Sequence, residues 1–303
     1  AKVTLLAEGC HGSLSKSVIQ KYSLREGRQH QTYGIGIKEL WRVKSEVFEE
    51  GLVFHSLGYP LIGPSDCYGG GFMYHFGENL VTLGQVIGLD YANPNLNPYQ
   101  EYQKFKSHPE IKKYLEGGEC LAYGARALNE GGYQSIPKLY FPGGLLLGCA
   151  AGFVNVPKIK GTHNAMKSGI IAADSTAKHL MGVGKLSDYE EAIKASDITA
   201  ELYKVRNVRP AFKYGFWPGL LLSGLSTVVF RGKEPWTLSH PEPDYKSLKP
   251  ISESPKIEYK KADGKVTFEL LESVSRTGTN HTEDQPSHLQ LKEGPGPQLD
   301  NNF

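Results

Sequence analysis

The residues best placed for chemistry lie between Phe141 and Asp174, in the stretch FPGGLLLGCAAGFVNVPKIKGTHNAMKSGIIAAD. An apolar run, Leu145 to Leu147, meets Gly148, and a small-residue turn with Cys149 and Gly152 follows. Gly161 and Thr162 then open a segment whose apolar residues recur at helical spacing. Strand, glycine turn and glycine at a helix start is how a chain brings bare backbone against a phosphate or a planar ring. The competing reading is tight packing of a turn against its sheet, with no ligand. A second concentration, Gly69-Gly70-Gly71 between Tyr68 and Phe72, interrupts a series of strand signals. It reads either as a wide hairpin turn or as a place where a flat ligand lies on backbone.

Other chemistries find little support. The ten histidines are scattered without an HExxH or other metal spacing, which argues against a metal site. There is no GxSxG elbow and no paired carboxylate arrangement, so hydrolysis is disfavoured. Cys10, Cys67, Cys120 and Cys149 are far apart and form no CxxC pair, so they read as buried thiols. Gly34 and Gly36 lack the third glycine of a dinucleotide fingerprint.

These residues need elements to hold them. Lys2 to Gly9 is an apolar run ending in a small-Glu-Gly turn, and Leu14, Val18 and Ile19 follow at helical spacing. This is the strand, turn, helix unit of a doubly wound sheet, whose strand ends collect ligands. From Thr32 to about Asp90 the pattern changes to short alternating pieces broken by glycine, which predicts a largely antiparallel sheet. Gln100 to Glu116 predicts one or two helices divided at His108-Pro109. In Thr162 to Met181 the residues Met166, Ile170, Ala173, Ala177 and Met181 predict a helix with that face buried. Leu186 to Arg206 predicts further helix, and Lys265 to Leu271 a strand.

Tyr214 to Phe230 holds 17 residues without a charge, between Arg206, Arg209 and Lys213 on one side and Arg231 and Lys233 on the other. A spanning helix needs roughly 20 apolar residues, and Pro218 interrupts this run. It reads as a segment dipping into one leaflet, with Trp217 at the headgroups, or as a buried pair of helices. The first residue is alanine and no targeting peptide is visible, so the chain reads as cut from something longer. With 303 residues, 35 glycines and a net charge of +2, the composition fits a loop-rich globular protein and argues against nucleic acid.

The blocks AEGCHGSLSK, QTYGIGIKELW, YGGGFMYH, GLDYANP, AYGARALNEGGYQSIPKLYFPGGLLLGCAAGFVNVPKIKGTHNAMKSG, RGKEPWTL and GTNHTEDQPSHL run in order from residue 1 to about 291. Together they resemble the electron transfer flavoprotein-ubiquinone oxidoreductase family. The resemblance implies an α/β fold of α+β character, an FAD-binding doubly wound domain with an inserted, mainly antiparallel quinone-binding sheet. The implied division is 1–31 and 137–210 for the FAD domain, 32–136 for the ubiquinone domain, 211–230 for a membrane-inserted segment and 231–303 for a linker and the start of a ferredoxin-like cluster domain.

It further implies an enzyme of the mitochondrial inner membrane, monotopic on the matrix side. Such an enzyme passes electrons from reduced electron transfer flavoprotein through FAD and a [4Fe-4S] cluster to ubiquinone. Gly9, Gly148, Cys149, Gly152, Gly161 and Thr162 would face FAD, and Gly69 and Gly70 the quinone headgroup. The family's amino-terminal GxGxxG and the four cluster cysteines have no counterpart here, so the chain reads as a fragment. Two rivals accompany this reading: a cofactor-free, membrane-associated remnant, and a related FAD-dependent isoprenoid reductase.

Overall fold

The computed structural model describes residues 1–63, 65–240 and 242–286. The chain opens with β1 (Thr4–Leu6), a glycine turn and α1 (Ser13–Lys21). Long strand β2 (Tyr33–Arg42), β3 (Val53–Leu57), β4 (Gly69–Phe76) and β5 (Leu80–Gly88) follow. Two helices, α2 (Pro98–Lys106) and α3 (Pro109–Leu115), precede β6 (Glu119–Asn129). Both helices start on proline, where the missing N–H is not needed, and the Asn97 and His108 side chains accept from first-turn N–H groups.

These strands form one five-stranded antiparallel sheet in the order β3-β4-β5-β2-β6. The antiparallel sheet expected from the glycine-punctuated pieces is therefore present. Its inner face packs Ile37, Trp41, Met73 and Leu83 against Tyr102 and Phe105 of α2 and Ile111 and Leu115 of α3. The chain then returns through β7 (Tyr140–Phe141) and β8 (Gly144–Leu146). Strand β8 pairs in parallel with β1 and antiparallel with β7, so a segment some 140 residues away closes against the first strand. That small sheet carries the second core, in which Leu145, Leu146 and Phe153 meet Tyr189, Ile193 and Leu202.

After β8 come a single turn, α4 (Gly148–Ala151), and the long helix α5 (Thr162–Leu180). Helices α6 (Asp188–Lys194), α7 (Asp197–Lys204), α8 (Val208–Ala211) and α9 (Phe216–Gly224) complete this part. Helix α5 reverses the expected orientation. Its buried residues are Asn164, Ser168, Ala172 and Ser175, while Met166, Ile170 and Met181 are exposed. Small side chains allow close approach to the turn below: Ser168 donates to the Ala165 carbonyl and accepts from Gly148 N at 3.0 Å, and Asn164 donates to the Phe153 carbonyl. Hydrogen-bonding small residues have won this face over the apolar stripe.

Two further expectations change. Pro218 does not break the apolar run, because it lies in the first turn of α9, which continues as a π-helical stretch from Leu225 to Phe230. Lys265 to Leu271 is not a strand. The Asp263 carboxylate accepts from the backbone N–H of Lys265, Val266 and Thr267, folding the chain into a turn, and α10 (Leu270–Ser275) follows. Those bonds hold the Asp263 carboxyl at about 2 against the opposing effect of burial. The LKEGPGPQLDNNF end and the last residues of the HTEDQPSHL block lie outside the described residues.

Candidate functional site

Two cavities flank the junction of the sheets. The first, of about 550 Å³, is bordered by Gly9, Cys10, Gly12, Ser15, Tyr33 and Asn129. The second, of about 830 Å³, is bordered by Gly69 and Gly70 on one wall and by Cys149, Gly161, Thr162 and Ala165 on the other. Asn129 borders both, at the end of β6. Residues separated by some ninety positions in sequence thus meet across one space. Six of the eight residues singled out by sequence border these cavities: Gly9, Gly69, Gly70, Cys149, Gly161 and Thr162.

Gly148 and Gly152 do not. Gly148 is buried with φ of +54° and donates to Ser168, and Gly152 ends α4 in the left-handed conformation at φ of +88°. They shape the turn that presents Cys149 to the cavity. Gly69 and Gly70 combine the two. A Cβ on Gly69 would come within 2.3 Å of the Val86 carbonyl, and one on Gly70 within 2.3 Å of the Ser56 carbonyl. Their missing side chains let strands close, and bare backbone is what they leave facing the cavity.

The two helix starts at the cavities differ. At α1 the Glu8 carboxylate accepts from Ser15 N and Ser15 Oγ, each at 2.7 Å, so the start is already occupied by an anion and Glu8 titrates low. At α5 no side chain caps the start, and Gly161 and Thr162 open into the larger cavity. A helix of this length presents partial positive charge and free N–H groups there. The Arg126 guanidinium lies close over the Gly9 turn, where an added Cβ would sit 3.0 Å from its Nη2. Burial pushes the thiols of Cys10 and Cys149 up, so both stay protonated near neutrality.

Several wall residues went unrecognised in the sequence. Asn129 is 3% exposed and its Oδ1 has no hydrogen-bond partner, an orphaned acceptor between the two cavities. Glu130, next to it, is bound at 2.8 Å by the Nε of Arg209, whose Nη2 reaches Asp90 Oδ1 at 2.7 Å. The same guanidinium stacks over Tyr68, 4.3 Å from the ring centroid. The polar pair Asn129-Glu130 at the end of β6, just before two glycines, was the available signal. At the other rim His55 Nε2 and Tyr74 OH are 2.8 Å apart.

Against this cluster stands His240, 9% exposed, with Nε2 unpartnered. Burial first, and then the Arg209 charge, lower it from 6.5 to about 4. A depressed histidine favours the neutral fold, so its contribution is complete above pH 6.5 and is lost as pH falls toward 4. We expect urea unfolding to show a loss of about 2 kcal/mol between pH 7 and 5 from this group. His240→Leu should flatten that slope, and an unchanged slope would assign the acid sensitivity elsewhere.

A family model described as ETF-QO, ubiquinone-binding matches residues 33–128, and one described as electron transfer flavoprotein-ubiquinone oxidoreductase, 4Fe-4S matches residues 264–301. The chain is 53% identical to the probable electron transfer flavoprotein-ubiquinone oxidoreductase, mitochondrial, of Saccharomyces cerevisiae, over 96% of this chain and 50% of that protein. It is 52% identical to the Homo sapiens protein of the same name, over 97% of this chain and 49% of that protein.

Along nearly its whole length this chain is similar to members of the electron transfer flavoprotein-ubiquinone oxidoreductase family.

It spans about half the length of the curated relatives it matches. Its fold is also that of a geranylgeranyl bacteriochlorophyll reductase-like protein from Thermoplasma acidophilum, with a TM-score of 0.51 at 15% identity, covering 84% of this chain and 59% of that one. The ubiquinone-binding match begins at Tyr33, the first residue of β2, and ends one residue before the last of β6. It therefore coincides with the five-stranded sheet, and the wall carrying Gly69 and Gly70 lies inside it.

Proposed function

We propose that this chain is part of an oxidoreductase that passes electrons from reduced electron transfer flavoprotein to ubiquinone, on the matrix side of the mitochondrial inner membrane. The single observation that carries this is the 830 Å³ cavity, where backbone at Gly69 and Gly70 faces the uncapped start of α5 at Gly161 and Thr162. We assign 1–31 and 137–210 to an FAD domain, 32–136 to a ubiquinone domain, 211–230 to a membrane-inserted segment and 231–303 to a linker and the start of a cluster domain.

The residues present fit FAD. Asn129 offers an unused buried acceptor, Gly9 and Gly161 leave room beside the backbone, and Arg126 supplies positive charge beside the Gly9 turn. FAD would supply two-electron chemistry linked to one-electron transfer. The chain's part is to bind, orient and set charge: Cys149, Gly161 and Thr162 along one edge, Gly9 toward the nucleotide half. The α5 start favours negative charge at that edge, without a base or nucleophile. Quinone reduction also consumes protons, and exposed His55, which borders the cavity and is hydrogen-bonded to Tyr74, stands where water can supply them.

The residues present do not fit a [4Fe-4S] cluster. The match to the cluster-domain model, 264–301, contains no cysteine, and among the described residues no group of three or more His, Cys, Asp or Glu could hold a metal. For the membrane segment, no helix among the described residues is long and apolar enough to cross a bilayer. Helix α9 and the π-helical stretch that continues it instead expose Trp217, Leu221, Val228 and Val229, each more than 60% accessible. That pattern suits insertion into one leaflet.

Gly161→Ala is the discriminating variant. Its Cβ would lie 3.1 Å from Val154 Cγ2 and 3.7 Å from Cys149 Sγ, so the fold is kept while a methyl enters the cavity. Titration of the chain with FAD, read by quenching of flavin fluorescence, should show binding that Gly161→Ala weakens about tenfold or more. Absence of binding by the parent chain, or indifference to the methyl, would overturn the assignment. Gly69→Ala and Gly70→Ala are unsuitable for this purpose, because both drive into neighbouring backbone.

A further inference from the structure

Outside the two cavities described, a third concavity of about 480 Å³ lies between α2–α3 and the strap running from Glu258 to Thr267. Four lysines border it: Lys104 and Lys112 on the helical side, Lys260 and Lys261 on the strap. Lys112 is paired with Glu116 at 3.0 Å, whereas Lys104, Lys260 and Lys261 make no ion pair with any described residue. Converging ammonium groups repel one another unless an anion sits among them.

The carboxylates nearby do not fill that role. Asp263 is committed to three backbone N–H groups of its own turn, and Glu101 lies behind Tyr259, accepting from its hydroxyl at 2.9 Å and from Ser65 at 2.8 Å. Only Glu258, exposed on the strap, offers further negative charge to the lining.

A second observation points the same way. Gln103, 5% exposed, forms part of the wall, and its Oε1 accepts from the backbone N–H of Phe268 at 3.0 Å. A backbone N–H can be received only by the amide oxygen, so the orientation of this amide is fixed and its Nε2 is the other end. That Nε2 is buried and has no partner. An unused buried donor beneath unpaired cations is a site that lacks its acceptor oxygens.

The position of the pocket points to a source of such oxygens. Tyr59, 40% exposed, borders the pocket, and its loop packs on α9: a Cβ on Gly58 would lie 2.8 Å from Phe216. Through Gly58 the Tyr59 rim of the pocket is joined to Ile62 and to α9, where Leu57, Ile62, Trp217 and Leu221 are exposed. Cations bordering an apolar patch meet phosphate at headgroup level.

We propose that this pocket binds a phosphate group, held by Lys104, Lys260 and Lys261 with Gln103 Nε2 as a further donor, and supplied by the headgroup of an anionic phospholipid. The site goes beyond the electron-transfer reading and does not need it.

The test is sedimentation of the full chain with vesicles of phosphatidylcholine, alone or containing phosphatidylglycerol, together with thermal unfolding in inorganic phosphate. Phosphatidylglycerol should strengthen binding about a hundredfold, each unpaired lysine contributing about fivefold. Lys104→Gln with Lys260→Gln and Lys261→Gln should abolish that gain, whereas Lys167→Gln with Lys178→Gln and Lys194→Gln, removing equal charge from α5 and α6, should not. Gln103→Glu retains the acceptor for Phe268 and should also abolish it.

If instead inorganic phosphate raises the melting temperature of the parent but not of these variants, and the lipid gain is unaffected by them, the pocket takes a soluble phosphate. If neither response depends on the pocket residues, the proposal is overturned. Trp217→Ser with Leu221→Asp separates the two ideas, since it should weaken binding to phosphatidylcholine alone and leave the response to inorganic phosphate intact.

Discussion

Replacing Arg209 by leucine is expected to cost about 3–5 kcal/mol, more than most single substitutions, because it leaves two carboxylates beside a buried apolar surface. Arg209 is 3% exposed and bridges Glu130 and Asp90 at 2.8 and 2.7 Å. Burial alone would raise Asp90, yet the guanidinium beside it holds that carboxyl below the usual range. Without Arg209, burial acts on both acids unopposed, and Tyr68 loses the cation over its ring. Small domains are stable by about 5–15 kcal/mol, so the loss consumes a large share.

Tyr68 and Glu130 also border the larger cavity, so the same variant should lose ligand binding. Urea unfolding at pH 7 measures the first effect. Adding Glu130→Gln should restore part of the loss by removing one stranded charge, and a single variant within 1 kcal/mol of the parent would refute a buried bridging role.

Arg209 also shows where sequence reading ends. Its three partners come from β4, β5 and β6 regions, 79 to 141 positions away, and nothing local in RNVRPAF marks it as more than a cation flanking an apolar run. The glycine turns were legible because their meaning is local: backbone freedom at Gly148 and Gly152 depends on φ alone. The antiparallel sheet was legible for a similar reason, since alternation and turn residues repeat within a few positions.

Helix α5 was misread because periodicity identifies a stripe and not what the stripe meets. Ser168 and Asn164 have hydrogen-bond partners in the turn below, and that decides which face is turned inward. The Lys265–Leu271 strand failed because one carboxylate, Asp263, captured three N–H groups that a strand would need for its ladder. That Gly69–Gly70 and Gly161–Thr162 border one cavity is a property of the fold, which neither spacing nor periodicity contains.

Lys106→Met should be of similar size to Arg209→Leu and has a distinctive dependence on pH. Both side chains of the Lys106–Glu39 pair are fully inaccessible, with Nζ 2.9 and 3.0 Å from the two carboxylate oxygens. The ammonium also lies over the rings of Trp41, Tyr102 and Phe268 at 4.7–5.6 Å. Burial lowers Lys106, and Glu39 opposes that. Methionine keeps the chain's volume but strands the Glu39 anion in the core of the five-stranded sheet, a loss of about 3–5 kcal/mol.

The stranded group would then bind a proton more readily in the fold than in the unfolded chain. A raised carboxyl stabilises the fold below its unfolded value and loses that advantage as pH rises through the folded one, so the Lys106→Met defect should shrink as pH falls from 7 toward 5. Adding Glu39→Gln should recover most of the loss at pH 7, because glutamine can still accept from Trp41 Nε1, now held by Glu39 at 2.8 Å. Glu39→Leu with Lys106→Met should recover less, since it leaves the indole N–H buried and unpaired. Equal recovery by the two double variants would show that the indole N–H does not need its acceptor, and no recovery by either, or a defect independent of pH, would show that the anion is not what the lysine neutralises.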